Sequence, residues 1–346
     1  MEQSIIIAAL TPKGAALARR LREGLGNAIC RLPRRFAQNR PEEAPFDRVA
    51  EVFQEAFFHQ HPLVCIMAAG IVVRGIAPYL QSKGTDPLVV VVDEAGKFAV
   101  SLLSGHLGGA NDLARRVALI LGGQAVITTA TDVNDLPALD VLAPRLGLVM
   151  ENLDAVRDIH MALLEGEPVR LVDQEGCLTE ALQQHPGLFA RERDLAAALG
   201  VPGPGVYVGY KETNWPPAWL RLRPRVLVAG LGCHQGTPAE EVLNFLRQIF
   251  KREGLSLRSL KALATIEARK DAPGLKAAAR ELGVDLLWFS ADSLKNIEAP
   301  NPSPAAARHL GVASVCEAAA MKAAGGPLIV TKCKSANVTL AVARAA

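Results

Sequence analysis

The sequence predicts an α/β protein with a doubly wound, mainly parallel-sheet N-terminal domain, a smaller middle region and a separate α/β C-terminal domain. Short β-branched runs alternate with helical patterns along most of the 346 residues, which is the signature of βαβ units. Leu63–Met67 and Leu88–Val92 are apolar along their whole length, as strands covered on both faces are. Half of the residues are hydrophobic and 21% are charged, so packed cores are expected and disorder is excluded.

The elements follow in order. Ser4–Ala8 reads as a strand. Thr11-Pro12 opens a helix, with Thr as N-cap and Pro at the first helical position. Leu17, Leu21 and Leu25 form one apolar stripe on it. Arg31–Pro45, with three Pro and four Arg, reads as a loop, and a second helix is expected over Phe46–Gln60. A helix over Asn111–Leu121 and a strand over Ala125–Thr128 continue the alternation, closing a domain over 1–145. The middle region, 146–224, has weaker patterns, and GVPGPG (200–205) and NWPPAWLRLRPR (214–225) read as linkers or surface crossings. The last domain, 225–346, opens with a strand at Arg225–Ala229 and a glycine-rich turn over Gly230–Gly236. Thr237-Pro238-Ala239-Glu240 matches a capping box before a helix reaching Arg252. Strands are expected at Asp285–Phe289, Leu328–Thr331 and Val338–Val342, and helices at Gly274–Leu282 and Ser314–Ala323.

Composition narrows the function. Lys and Arg number 38 against 35 Asp and Glu, and aromatics are 5%; this bias is too weak for a nucleic-acid partner. The longest stretch free of charged residues, Ala56–Val73, is interrupted by His59, Gln60, His61 and Pro62, so no membrane span is expected. The N-terminus has no basic run before its apolar segment, and the six cysteines make no CxxC pair. Reduced thiols in a cytoplasmic protein are the simplest expectation.

The densest chemical signal is SLLSGHLGGANDLARRVA (101–118). Gly105, Gly108 and Gly109 let a ligand approach the backbone, and Asn111 and Asp112 open a helix whose free amides favour anions. His106, set among these glycines, has little apolar face to bury it and reads as a ligand-site residue; a tight turn in which it caps a chain end is the alternative. Ala68-Ala69-Gly70 crosses the carboxyl end of a buried strand, where open α/β sheets bind ligands. Arg74 and Lys83 are expected near that edge or on solvated surface. Asp93, at the next strand end, is the better placed of the acidic pair Asp93-Glu94. In VITTATDVNDLPALD (126–140), Thr128, Thr129, Thr131 and Asp132 bring hydroxyls and a carboxylate to the same edge, unless Asp132 or Asn134 caps the next helix.

In the C-terminal domain, AGLGCHQGTPAEE (229–241) has the spacing GxGxxxG and not GxGxxG, and no acid follows a clear second strand about 20 residues on. It is a weak nicotinamide site and a reasonable anion-accepting loop. Cys233 and His234 look like a metal pair, yet no second pair completes a zinc site. Glu317, Lys332 and Lys334 add polar groups near the C-terminus. Walker A, GxSxG and HExxH patterns are absent.

Read together, AAGIVVRGIAPYL, KGTDPLVVVVDE, LLSGHLGGANDLARRVA, VITTATDVNDLPALD, GLGCHQGTPAEE, GVASVCEAAA and TKCKSANVTLAVA resemble the cobalt-precorrin-5A hydrolase family of the anaerobic cobalamin (vitamin B12) pathway. The likeness covers nearly the whole chain and is least distinctive over 146–224. It departs at His234 and Gln235, where the family usually carries Arg and Lys. The family's Lys and Glu before Pro-Gly-Leu are here Arg269 and Ala272, so the C-terminal domain would grip an anion with fewer cations.

The resemblance implies opening of a ring A δ-lactone in a cobalt tetrapyrrole and release of acetaldehyde, giving cobalt-precorrin-5B. Cobalt is then carried by the substrate, and no separate cofactor or protein-bound metal is expected. Expected catalytic residues are His106 as base, with Asp93 and Asp112. Expected substrate contacts are Gly70, Arg74, Lys83, Gly105, Gly108, Gly109, Asn111, Thr129, Asp132, Gly232, His234, Glu317, Lys332 and Lys334. The amides of Gly108 and Gly109 are expected near the oxyanion, and an axial contact to cobalt is a rival role for His106 or His234. Expected partners are the small-molecule substrate, transient contact with neighbouring methyltransferases and a second copy in a homodimer. A non-catalytic corrinoid-binding protein and a nicotinamide-dependent enzyme are the alternative readings.

Overall fold

The computed structural model describes residues 4–82, 85–105, 108–174, 176–178 and 180–346. Its contacts divide the chain into units 1–141 and 142–346. The first unit opens with β1 (Ile5–Ala9) and α1 (Pro12–Leu25). Thr11 starts α1 as expected, its hydroxyl accepting from the Gly14 amide at 3.0 Å. The segment expected as a loop over Arg31–Pro45 instead contributes two strands, β2 (Ala28–Pro33) and β3 (Glu43–Phe46). Its prolines are tolerated because Pro33 ends its strand and Pro45 lies on the sheet's outermost one. Arg19 pins that outer strand by an ion pair with Glu43 at 2.7 Å.

There follow α2 (Val49–Phe58), β4 (Leu63–Ile66), α3 (Ala69–Ile76), β5 (Val89–Val92), β6 (Phe98–Leu103), α4 (Ala110–Leu121), β7 (Gln124–Val126), α5 (Ala130–Val133) and α6 (Leu139–Arg145). The seven strands are ordered β3-β2-β1-β4-β5-β6-β7. Alternation along β1 explains the double winding: Ile7 and Ala9 pack against Ala18 and Leu21 of α1 and Val117 of α4, whereas Ile6 and Ala8 pack against Val52 and Phe53 of α2 and Val72 of α3. Burial pushes the Cys30 thiol up to about 11 and the wholly buried Cys65 thiol further, so neither acts as a nucleophile at neutral pH.

β6 decides where the site lies. It pairs antiparallel to β5, with Val89 opposite Leu103 and Val92 opposite Ala99, and β7 pairs parallel to β6. The Asp93 carboxylate shapes the connecting hairpin, accepting from the amides of Ala95 at 3.0 Å and Phe98 at 2.6 Å. The segments after β6 and β7 therefore emerge at the amino edge of β1, β4 and β5. The expectation that Thr128–Asp132 and Ala68–Gly70 share one edge is corrected: they lie at opposite edges.

The second unit holds two sheets. β8 (Leu148–Met150), α7 (Asp154–Leu164), β9 (Val169–Asp173), β10 (Phe189–Arg191), α8 (Leu195–Leu199), β11 (Gly205–Val208) and β12 (Trp219–Pro224) form one, ordered β10-β9-β11-β12-β8 with β8 antiparallel. Much of 214–225, expected as a surface crossing, is thus an interior strand, with Trp219, Leu220 and Leu222 fully buried.

β13 (Leu227–Cys233), α9 (Ala239–Arg252), β14 (Leu260–Ile266), α10 (Pro273–Leu282), β15 (Asp285–Phe289), α11 (Ala291–Lys295), α12 (Pro304–Leu310), α13 (Val315–Ala324), β16 (Leu328–Lys334) and β17 (Val338–Arg344) form the other, ordered β15-β14-β13-β17-β16. α9 and α10 cover one face, α11 and α13 the other. Strand β14 was not anticipated. The expected capping box does not form, because Thr237 donates its hydroxyl to His234 O at 2.9 Å. No helix among the described residues is long and apolar enough to cross a membrane.

Gly230 and Gly232, expected in a turn, lie inside β13. A Cβ at Gly230 would overlap the Cys316 carbonyl oxygen and stand 2.8 Å from Ala320 N, so this glycine serves the close approach of α13 to the strand and not a phosphate. Gly230→Ala is expected to destabilise the protein by about 1–3 kcal/mol or more, read as a lowered urea midpoint. An unchanged midpoint would refute the tight strand–helix contact.

Candidate functional site

The amino edge of the first sheet carries a connected polar chain. Ser104, which leaves β6, has φ 55, and Gly109, which precedes α4, has φ 85. Between them the chain closes on itself: Ala110 N–H donates to Ser104 O at 3.2 Å and Asn111 N–H to Gly105 O at 3.0 Å. Both glycines at 105 and 108 are demanded by contact. A Cβ at Gly108 would stand 2.7 Å from Ser104 O, and one at Gly105 would stand 2.8 Å from Asn111 Oδ1. The neighbouring loop docks here too, because Ser104 Oγ donates to Asp86 O at 2.9 Å. His106 and Lys83, the residues on which the sequence places most weight for base and cation, lie outside the described residues.

Asn111 is 3% exposed. Its Nδ2 donates to Asp132 Oδ2 at 2.9 Å and to Thr129 Oγ1 at 3.3 Å. Arg115 then bridges two carboxylates, donating to Asp132 Oδ1 and to Asp112 Oδ1, each at 3.0 Å. Asp132 is largely buried while Asp112 is exposed. Five of the sequence-derived candidates, Gly105, Asn111, Asp112, Thr129 and Asp132, are thereby brought together, with Gly108 and Gly109 beside them. Asp132 is held between a guanidinium and an amide, which disposes it to position a neighbour. Arg115 was missed, although its spacing of three from Asp112 on a helix is an ion-pair signal.

Gly70 and Arg74 lie apart from this chain, on α3, which begins at the opposite edge of the sheet; Arg74 turns back to Gly70 O at 3.1 Å. The same helix exposes Ile71 and Val73, an apolar face with a cation beside it. Asp93 is also at that edge, engaged in its hairpin.

The second unit has its own polar edge, at the carboxyl end of β13. His234 is exposed, and its backbone is fixed by its N–H donating to Asn337 O at 3.1 Å and by Thr237 donating to its carbonyl. Lys334 and Gly232 occur in one register across β17, each opposite Thr339. Burial raises the Cys233 thiol, and the nearby Arg269 partly offsets this. Glu317 is fully buried: it accepts from Asn301 Nδ2 at 2.8 Å, Asn301 N at 3.0 Å and Lys332 N at 2.9 Å, and Lys332 Nζ donates to Asn301 O at 2.7 Å. Glu317 and Lys332 thus knit a loop to β16, while His234 and Lys334 face solvent. Asn301, which joins them, was not singled out from sequence. Among the described residues, no cluster of three or more His, Cys, Asp or Glu is arranged to hold a metal ion.

Three family models match the chain in order: cobalamin synthesis G N-terminal over residues 51–132, cobalamin biosynthesis central region over 137–224, and cobalamin synthesis G C-terminus over 227–343. The chain is 35% identical to a cobalt-precorrin-5A hydrolase of Salmonella typhimurium, over 98% of this chain and 97% of that protein. It is 34% identical to a cobalt-precorrin-5A hydrolase of Priestia megaterium, over 81% of this chain and 78% of that one. Among solved structures, CobE, a protein from the cobalamin (vitamin B12) biosynthetic pathway, matches 34% of this chain and 93% of its own, with 34% identity and a TM-score of 0.33.

Proposed function

The chain belongs to the cobalamin synthesis G family, and we propose that it is a hydrolase of cobalamin biosynthesis converting cobalt-precorrin-5A to cobalt-precorrin-5B. The observation that carries this reading is end-to-end kinship, 35% identity over 98% of this chain, with a protein of that name. In the proposed reaction a water attacks the carbonyl of the ring A δ-lactone. The new C–O bond forms, the lactone C–O bond breaks, and a carboxylate and a hydroxyl are left. The hydroxyl then gives up its proton as the bond from its carbon to the macrocycle breaks. That electron pair passes into the conjugated ring, and acetaldehyde leaves. The second step makes this a carbon–carbon bond hydrolysis. Cobalt arrives with the substrate.

His106 is the proposed general base, and the amides of Gly108 and Gly109 are the proposed oxyanion donors. The chain Arg115–Asp132–Asn111 supports this assignment by bracing the start of α4, which follows the loop directly. A flat ligand fringed with carboxylates needs apolar surface and scattered cations. The exposed face of α3 with Arg74 in one unit, and His234 and Lys334 in the other, are of that chemical kind.

The test is acetaldehyde release from cobalt-precorrin-5A generated in situ without oxygen, coupled to alcohol dehydrogenase and NADH, with the corrinoid followed by mass spectrometry. One acetaldehyde per substrate consumed, with loss of a two-carbon fragment, is the expected result. Tight retention of the coloured substrate without acetaldehyde would instead assign a non-catalytic corrinoid-binding role.

A further inference from the structure

The middle sheet has a crevice of its own. In its order β10-β9-β11-β12, the chain leaves β9 toward β10 on one side and leaves β11 toward β12 on the other. These four strands are parallel. Connections that diverge in this way open a gap at the carboxyl ends of the two central strands, where open α/β sheets hold ligands. Here the gap lies beyond Asp173 of β9 and Val208 of β11, which stand opposite each other.

An open cleft of about 480 Å³ occupies this edge. It is lined by Gln174, which follows β9, Arg193, which follows β10, and Lys211 and Thr213, which follow β11. Leu195 and Leu199 of α8 supply an apolar wall, backed by Val172 and Trp219 of the core. Among the described residues, none of the four polar side chains makes a hydrogen bond or an ion pair. Asp194 also lines the cleft, and its carboxylate accepts from the Ala196 amide at 2.9 Å. Glu212, between Lys211 and Thr213, is engaged by Arg223 at 2.7 Å and by Trp215 at 3.0 Å. The backbone fixes Lys211 from both sides: its N–H donates to the Tyr207 hydroxyl at 3.2 Å, and its carbonyl accepts from Arg223 at 2.6 Å.

Two cations without a carboxylate partner, an amide and a hydroxyl thus gather at one held crevice. A cationic ligand is repelled there, and a wholly apolar one leaves the donors without acceptors. The chemistry selects an oxyanion.

We propose that this crevice is an anion-binding site, taking a carboxylate or phosphate group whose apolar body rests on Leu195 and Leu199. The site stands independently of the hydrolase reading. Two sources carry such a group: the carboxylate side chains of a tetrapyrrole, and a free phosphorylated metabolite.

Calorimetric titration of the full chain with two probes tests it. One probe is cobalt uroporphyrin, a flat tetrapyrrole fringed with carboxylates, and the other is inorganic pyrophosphate. Wild type is compared with the double variant Arg193→Gln, Lys211→Gln. Both side chains are exposed, so the melting transition should stay at its wild-type value. Loss of both cations is expected to weaken binding about 100-fold, roughly tenfold for each charge-assisted hydrogen bond. Weakened cobalt uroporphyrin binding assigns a tetrapyrrole side chain as the occupant. Weakened pyrophosphate binding alone assigns a free phosphate compound.

Equal affinity of wild type and double variant for both probes overturns the proposal, as does a wild-type protein that binds neither. If the double variant does not fold, the same comparison with Arg193→Gln alone decides. A protein that binds through Arg193 and Lys211 yet releases no acetaldehyde keeps this site and loses only the hydrolase reading.

Discussion

Replacing His106 with alanine is expected to cut acetaldehyde release by about 100- to 10,000-fold, the range general acid–base catalysis contributes. The melting transition and the optical binding of the cobalt tetrapyrrole should stay near wild type, because a histidine set in the sequence among Gly105, Gly108 and Gly109 has little apolar company to lose. Proton transfer is lost while the ring and its carboxylates still find their contacts. The pH profile carries the sign: if His106 is the base, the rate falls as pH drops through its titration and the imidazole is protonated. Near-wild-type turnover in the variant removes His106 from the mechanism. Loss of substrate binding with chemistry intact would make it a contact residue, such as an axial one to cobalt.

Replacing Arg223 with alanine is expected to cost about 3–5 kcal/mol of stability, the scale for breaking a buried ion pair from one side. The Arg223 side chain is wholly buried. Its Nη2 lies 2.7 Å from both Glu151 Oε2 and Glu212 Oε1, and its Nη1 donates to Gly209 O at 3.1 Å and Lys211 O at 2.6 Å. The guanidinium also lies over the rings of Tyr207 and Trp215, at 5.6 and 5.7 Å from their centroids. Alanine leaves two carboxylates and two carbonyls without their common donor. Glu212 also ties the segment after β11 to the turn after α9, its N–H donating to Gly254 O at 2.8 Å. Urea unfolding should show a lowered midpoint, and a midpoint equal to wild type would mean that the cage contributes nothing net.

Arg223 illustrates a limit of local reading. WLRLRP alternates apolar and charged residues, the pattern of a half-solvated segment, and an arginine is ordinarily placed outside. Glu151, 72 positions away, and Glu212 make its burial affordable, and no window of sequence shows them beside it. Asn111 is similar. Its place in a glycine-rich segment before a helix was legible, whereas its pairing with Asp132, 21 positions on, depended on which strands pair. The inversion at β6 left a readable sign: the few residues between Val92 and Phe98, with Gly96 at φ 68, are too few for a parallel crossover.

The sequence by itself determined the α/β class, the strands buried on both faces, the N-cap of α1, the family, and the glycine segment with Asn111, Asp112, Thr129 and Asp132 as its polar company. These follow from periodicity, capping chemistry and residue type, which act within a few positions along the chain. Only the tertiary structure decided that β6 runs against β5 and sends the glycine segment to the amino edge. It alone placed Gly230 under α13 rather than at a phosphate, turned Glu317 inward, and paired the Asn111 amide with Asp132. Each of these depends on groups far apart in sequence being forced together by core packing, and that packing minimises the free energy of the whole fold and not of any segment.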